Sequence, residues 1–104
     1  MRVGVSNSLH FRFGKVRLDL FLKWSRVIPR RTMAKATCDA GRVTVNDQVA
    51  RAGRNLQVDD IVVLQLARRH MKFRVDSIPA RAPGKADARD MIEILENHSL
   101  QADP

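Results

Sequence analysis

From Leu18 the apolar residues return at helical spacing. Leu18, Phe21 and Leu22 fall on one face and Leu20, Trp24 and Val27 on a second, with Asp19 and Lys23 between them. Recurrence three and four residues apart is the mark of an amphipathic helix, so the first face is expected in the core. The second packs most simply on later strands or on a C-terminal helix. Pro29 ends this helix, because its ring clashes with a helical residue before it and it lacks an amide proton. Thr32 is the expected N-cap of a second helix, TMAKATCDA, which Gly41 closes in the left-handed conformation. Ala34, Thr37 and Cys38 are small enough to let the two helices cross closely.

Beyond Gly41 the period changes. Val43 and Val45 alternate with Arg42 and Thr44, and Asn46-Asp47 separates them from Gln48 to Ala50, which predicts a hairpin. Arg51 to Arg54 reads as a polar crossing. Ile61–Leu66 and Met71–Val75 form a second strand pair around a turn at Ala67 to His70, with Met71, Phe73 and Val75 on one face and Lys72 and Arg74 on the other. PARAPGKA, residues 79–86, has linker composition. Asp87 is then the expected cap of a final helix over 87–98, with Ala88, Met91, Ile94 and Leu95 as its apolar face. A tail, 99–104, closes the chain.

Residues 1–16 carry only weak strand or tail character. Val16 can be encoded by an alternative bacterial start codon, so residues 1–15 are expected to lie outside the natural chain. The body over 17–78 is expected to form one α+β domain: two helices packed on a small, strongly bent antiparallel sheet, with the C-terminal helix docked against it.

Charge adds what the pattern cannot. The net charge is +8, and it is lopsided: residues 1–54 hold 12 Lys or Arg against 3 Asp or Glu, while 55–104 hold 7 against 8. A field so placed attracts a polyanion, nucleic acid first and an acidic membrane surface second. The bland alternative is a solvated face that aids solubility. One cysteine, Cys38, excludes an internal disulfide and a cysteine-cluster metal site; it reads as a small buried residue rather than a nucleophile. No apolar run approaches the ~20 residues that span a bilayer, and a cytoplasmic location is expected. The pairings of His10, His70 and His98 with carboxylates or Cys38 lack catalytic or metal-ligand spacing, so neither an enzyme nor a cofactor site is expected.

The run RLDLFLKWSRVIPRRTMAKATCDAGRVTVND, Arg17 to Asp47, resembles the alpha-L RNA-binding motif first known in small-subunit ribosomal protein S4. The shared pattern is Arg-Leu-Asp opening the first helix, Ser-Arg near its end, a basic pair before a Thr, then Ala-Gly-Arg-Val, Val-Asn, and an aspartate before a hydrophobic strand. It is strong from Arg17 to Leu64. Within that superfamily the chain is most similar to the RqcP proteins of bacterial ribosome-associated quality control, and next to heat-shock protein fifteen. The short acidic ending DARDMIEILEN favours the former over the long basic extension of the latter. Three positions depart from the pattern: Leu20 replaces a usual lysine, and Asp47 and Asp59 stand where glycine is usual.

Arg26, Arg30, Arg31 and Lys35 surround the elbow between the helices, where helix amides and dipole add to their charge. Arg17, Lys23, Arg42, Arg51 and Arg54 extend that seat into a stripe. Arginine's planar fork suits phosphate and base stacking, so structured RNA fits better than free single strands, which call for an aromatic platform. Trp24 reads as a packing residue, with base stacking as its other use. The resemblance implies contacts from Arg17, Arg30 and Arg31 to rRNA or tRNA on a large ribosomal subunit obstructed by peptidyl-tRNA. There the protein, a monomer when free, would hold the tRNA while a nascent-chain elongation factor adds alanine. A heat-shock-type rescue protein, an rRNA-binding assembly factor and a protein-protein adaptor are the alternatives.

Overall fold

A computed structural model describes residues 15–99; of the weak strand or tail expected over 1–16, residues 1–14 lie outside them, as do residues 100–104 of the expected tail. The chain starts with a two-residue strand, β1 (Val16–Arg17), followed at once by α1 (Leu18–Trp24), α2 (Arg31–Asp39) and the hairpin β2 (Val43–Val45) and β3 (Gln48–Val49). Then come β4 (Asn55–Leu56), β5 (Ile61–Leu66), β6 (Arg69–Val75), a single turn of helix α3 (Lys85–Ala88) running into a 3-10 turn (Arg89–Met91), and β7 (Ile92–Ser99). β1 pairs with β4, and the main sheet has five antiparallel strands in the order β3-β2-β5-β6-β7.

The core is where the α1 face meets the sheet. Leu18, Phe21 and Leu22 are fully buried, as are Val43, Val45, Val62, Leu64, Phe73 and Val75. The Phe21 and Phe73 rings stack with centroids 6.2 Å apart. Leu20, Trp24 and Val27 pack on this core as partly buried residues, which gives Trp24 the packing role. Ala34 and Cys38 are buried on the α2 side. Burial first, then the charges of Asp19 and Asp39, push the Cys38 thiol up to about 11; it is not poised as a nucleophile.

Helix ends need partners for amides and carbonyls that the helix cannot pair itself. At the start of α1, Leu18 N donates to Arg54 O at 2.8 Å and Asp19 N to Ala52 O at 3.2 Å, so the crossing loop caps the helix. At the end of α2, Gly41 at φ 77 donates to Cys38 O and Arg42 to Thr37 O, the Schellman pair that glycine permits. The end of α1 differs from expectation. It stops at Trp24, well before Pro29, because Arg26 turns left-handed at φ 65 and donates to Lys23 O while Ile28 donates to Leu22 O. Thr32 is not a cap either. The extended residue before α2 is Arg30, Ala34 N closes the first turn on Arg30 O at 3.0 Å, and no side chain caps the helix.

Asn46 and Asp47 both have positive φ, 51 and 70, as a two-residue type I′ hairpin turn requires. Asn46 locks that turn to the next: its Oδ1 accepts from Ile61 N and its Nδ2 donates to Asp60 Oδ1. Asp59 is left-handed too, at φ 79. Both aspartates that replace glycine thus occupy glycine-type backbone.

The largest correction is at the C-terminus. The helix expected over 87–98 is one helical turn and then a strand; the linker composition ends where α3 begins at Lys85. β7 lies antiparallel to β6, with Ile92 opposite Val75, Glu93 opposite Arg74 and Ile94 opposite Phe73. After an irregularity that leaves Leu95 without an opposing residue, Glu96 faces Lys72 and His98 faces His70. Isoleucines thus turn toward the core side and carboxylates toward the basic outer face of β6. The β5–β6 turn is also tighter than expected, since β6 begins at Arg69.

Candidate nucleic-acid interface

The elbow cluster is organised by a carboxylate. Asp19 is 2% exposed, whereas the Arg17 and Arg31 side chains that bind it are 47% and 46% exposed. Arg17 Nε donates to Asp19 Oδ1 at 3.1 Å and Arg17 Nη2 to Oδ2 at 3.2 Å; Arg31 Nε reaches Oδ2 at 3.4 Å. Leu20 N adds a bond to Oδ1 at 2.8 Å. Burial pushes the Asp19 carboxyl up, but the Arg17 hydrogen bond, the charges of Arg31 and Arg17, and the Leu20 amide together hold it below its ordinary value. In turn its hydrogen bond and charge raise the Arg17 guanidinium. One edge of each arginine is fixed while the rest stays open, so two cations are presented in defined orientation.

The crossing loop joins this cluster. β1 pairs Arg17 with Asn55, and a Cβ added at Gly53 would lie 3.9 Å from Arg17 Cζ. Arg51 is exposed and Arg54 half-buried in that loop. Lys23 and Arg26 lie at the other end of α1, both exposed, and exposed Arg30 leads into α2. Arg26 borders a polar notch of ≈ 120 Å³ together with Lys23, Trp24 and Pro29.

Two expected residues fit less well. Lys35 is paired with Asp39 one turn on, Nζ to Oδ2 at 3.0 Å, which spends part of its charge locally. Arg42 follows the far end of α2, a nine-residue helix and so about 14 Å from the elbow at 1.5 Å per residue; its Nη1 lies 3.5 Å from Gln65 O. Arg69 and Arg89, which line a recess with Arg26, were not among the expected residues, and Asp19 was given only a place between the two apolar faces of the first helix. Arg69 was legible from its two-residue spacing to Met71, Phe73 and Val75. Arg89 carried no signal, since a longer helix was expected around it.

Among the described residues no group of three or more His, Cys, Asp or Glu side chains could hold a metal ion, and no helix is long and apolar enough to cross a membrane. Two helices on a bent sheet with arginines at their elbow define a small RNA-binding module of the S4 class, and residues 16–62 match the S4 domain family model. The chain is 41% identical over 85 residues to the RQC P-site tRNA stabilizing factor of Halalkalibacterium halodurans, covering 82% of this chain and 96% of that one. It is 38% identical to the factor of that name from Streptococcus pneumoniae, over 83% of this chain and 97% of that one. For the Bacillus subtilis factor the identity is 33%, over 82% and 98%. The chain belongs to this family of S4-domain factors. In fold it is similar to the trimeric Heat Shock Protein 15 of Vibrio cholerae, with a TM-score of 0.71 and 21% identity over 78% of this chain and 82% of that one.

Proposed function

We propose that this chain is an RNA-binding factor that stabilises the P-site tRNA on a large ribosomal subunit obstructed by peptidyl-tRNA, while a nascent-chain elongation factor extends the stalled product with alanine. The observation that carries this reading is the 41% identity spanning 96% of a relative named as an RQC P-site tRNA stabilizing factor. The elbow supplies the means. Arg17 and Arg31, oriented by Asp19, with Arg30 beside them, are the proposed tRNA and rRNA contacts, and the crossing-loop arginines extend the face. The contribution is geometric, since a rigid set of phosphate contacts fixes the tRNA without chemistry on it.

The test is affinity purification of the tagged protein from growing cells at moderate salt, with an Arg30→Ala, Arg31→Ala variant alongside. Large subunits carrying peptidyl-tRNA are expected with the parent protein and lost with the variant. Recovery of a protein partner without RNA, equal for both, overturns the reading in favour of an adaptor.

A further inference from the structure

Where β6 and β7 pass the end of α1 the molecule leaves a recess of ≈ 340 Å³. Its floor is apolar: Val27, Met71, Ile92 and Ile94 line it. Met71 is buried, yet Ile94 is 51% exposed, an uncovered β-branched side chain at a position whose parity turns it toward the core. Arg26, Arg69 and Arg89 also line the recess, and no acidic residue does.

Arg69 is the telling member. Strand residues two apart share a side, so Arg69 extends the row of Met71, Phe73 and Val75, all buried. Its Nε is shut off from solvent and has no hydrogen-bond partner among the described residues. That atom is closed to a ligand as well as to water, so what Arg69 offers is the part of its side chain that lines the recess, and a guanidinium set beside an uncovered apolar floor suits a ligand that brings an acceptor and a flat apolar surface together.

We infer that this recess receives one unstacked nucleotide of the bound RNA, its base laid on Met71, Ile92 and Ile94 and its phosphate held by Arg69 with Arg26 and Arg89. The assignment rests on the RNA-binding reading and deepens it. Volume limits the occupant, since ≈ 340 Å³ sits at the low end of the roughly 300–1,000 Å³ of small-molecule sites, room for a single nucleotide and not for a helical segment. Charge excludes a cationic ligand, and arginine forks match phosphate in geometry as well as sign. Position favours RNA over an acidic peptide, because Arg26 belongs at once to this recess and to the elbow face. With no aromatic ring in the floor, the base is held by aliphatic contact and guanidinium stacking, which tolerates any base.

The test uses the full chain with its methionine and isoleucine methyl groups labelled for NMR. It is titrated separately with 5′-AMP, 5′-UMP, inorganic phosphate and the dipeptide Ala-Ala, and tRNA affinity is measured in parallel. Both nucleotides are expected to move the Met71, Ile92 and Ile94 signals at lower concentration than phosphate. Arg69→Met, and independently Ile94→Glu, which places a carboxylate among the arginines, are expected to weaken the nucleotides on the order of tenfold, as for loss of a charge-assisted contact. Arg89→Gln, an exposed change outside the strands, gives the same direction should either strand variant fail to fold. Nucleotide binding no tighter than phosphate, or a response to Ala-Ala alone, overturns the assignment. If tRNA binding persists in those cases, only the recess is refuted. Loss of tRNA binding by the parent protein would instead refute the RNA reading itself.

Discussion

Two helices end in this protein through the same backbone device, and the residue at the turning point differs. Gly41 closes α2 at φ 77, and Arg26 closes α1 at φ 65. Glycine enters the left-handed region without penalty, whereas a residue with a Cβ loses about 1–2 kcal/mol there. Aspartate softens that loss through local hydrogen bonding, which suits Asp47 and Asp59, but arginine has no such means. An arginine kept where glycine belongs points to selection for its guanidinium, in keeping with the tendency of such strain to gather at binding sites. The prediction has opposite signs for two observables. Arg26→Gly should stabilise the fold by about 1 kcal/mol, part of the relieved strain being offset by the greater freedom of the unfolded chain, and raise the melting temperature by roughly 4–8 °C. The same change should weaken tRNA binding. Thermal melts and binding isotherms on one preparation decide it, and a variant that melts lower would show that Arg26 is retained for packing.

At the scale of elements, β7 shows how one extra residue reconciles two alternations. Ile92 and Ile94 take core-side positions and Glu93 an outer one, but the next carboxylate, Glu96, would fall on the wrong side without a skipped residue. Leu95 is that residue, and it has no partner on β6. Deleting Leu95 should therefore leave both faces correct and change the melting temperature only slightly. Deleting Glu93 should move Ile92 to the outer face, because a shift by one residue exchanges the sides of a strand, at a cost of about 1 kcal/mol, less than for a fully buried isoleucine because Ile92 is only partly buried. Equal destabilisation by the two deletions would contradict this account. The same strand marks where reading from sequence stops. Residues 43–49 were legible because Asn46-Asp47 between alternating valines has one physical interpretation. In the C-terminal segment, Ala88, Met91, Ile94 and Leu95 satisfy a helical period while Ile92, Glu93 and Ile94 satisfy a strand period. Only the outer face of β6, with Lys72 and Arg74 awaiting Glu96 and Glu93, resolves that ambiguity, and this is tertiary information. The elbow was legible in its charges and not in its order: Arg17 is a near neighbour of Asp19 in sequence, but Arg31 is not, and only folding brings it to the same carboxylate.

Over the whole molecule the question is whether the charge of +8 acts as a diffuse field or as an oriented face. The two differ in what single substitutions do to the salt dependence of tRNA binding. Neutralised phosphates release counterions, so each cation in direct contact contributes about one unit to the logarithmic slope. Ions screen beyond about 8 Å at physiological strength, so Arg42, about 14 Å from the elbow by the length of α2, contributes little to a contact made there. Arg30→Ala is expected to reduce the slope by about one with an unchanged melting temperature, because its exposed side chain makes no hydrogen bond or ion pair among the described residues. Arg31→Ala should reduce the slope equally but also lower the melting temperature, since it removes a partner of buried Asp19. Arg42→Ala should leave the slope as it was. Fluorescence anisotropy of labelled tRNA over a series of salt concentrations measures all three. If Arg42→Ala weakens binding as much as Arg30→Ala, the protein attracts RNA through its overall charge, and the elbow holds no privileged contact.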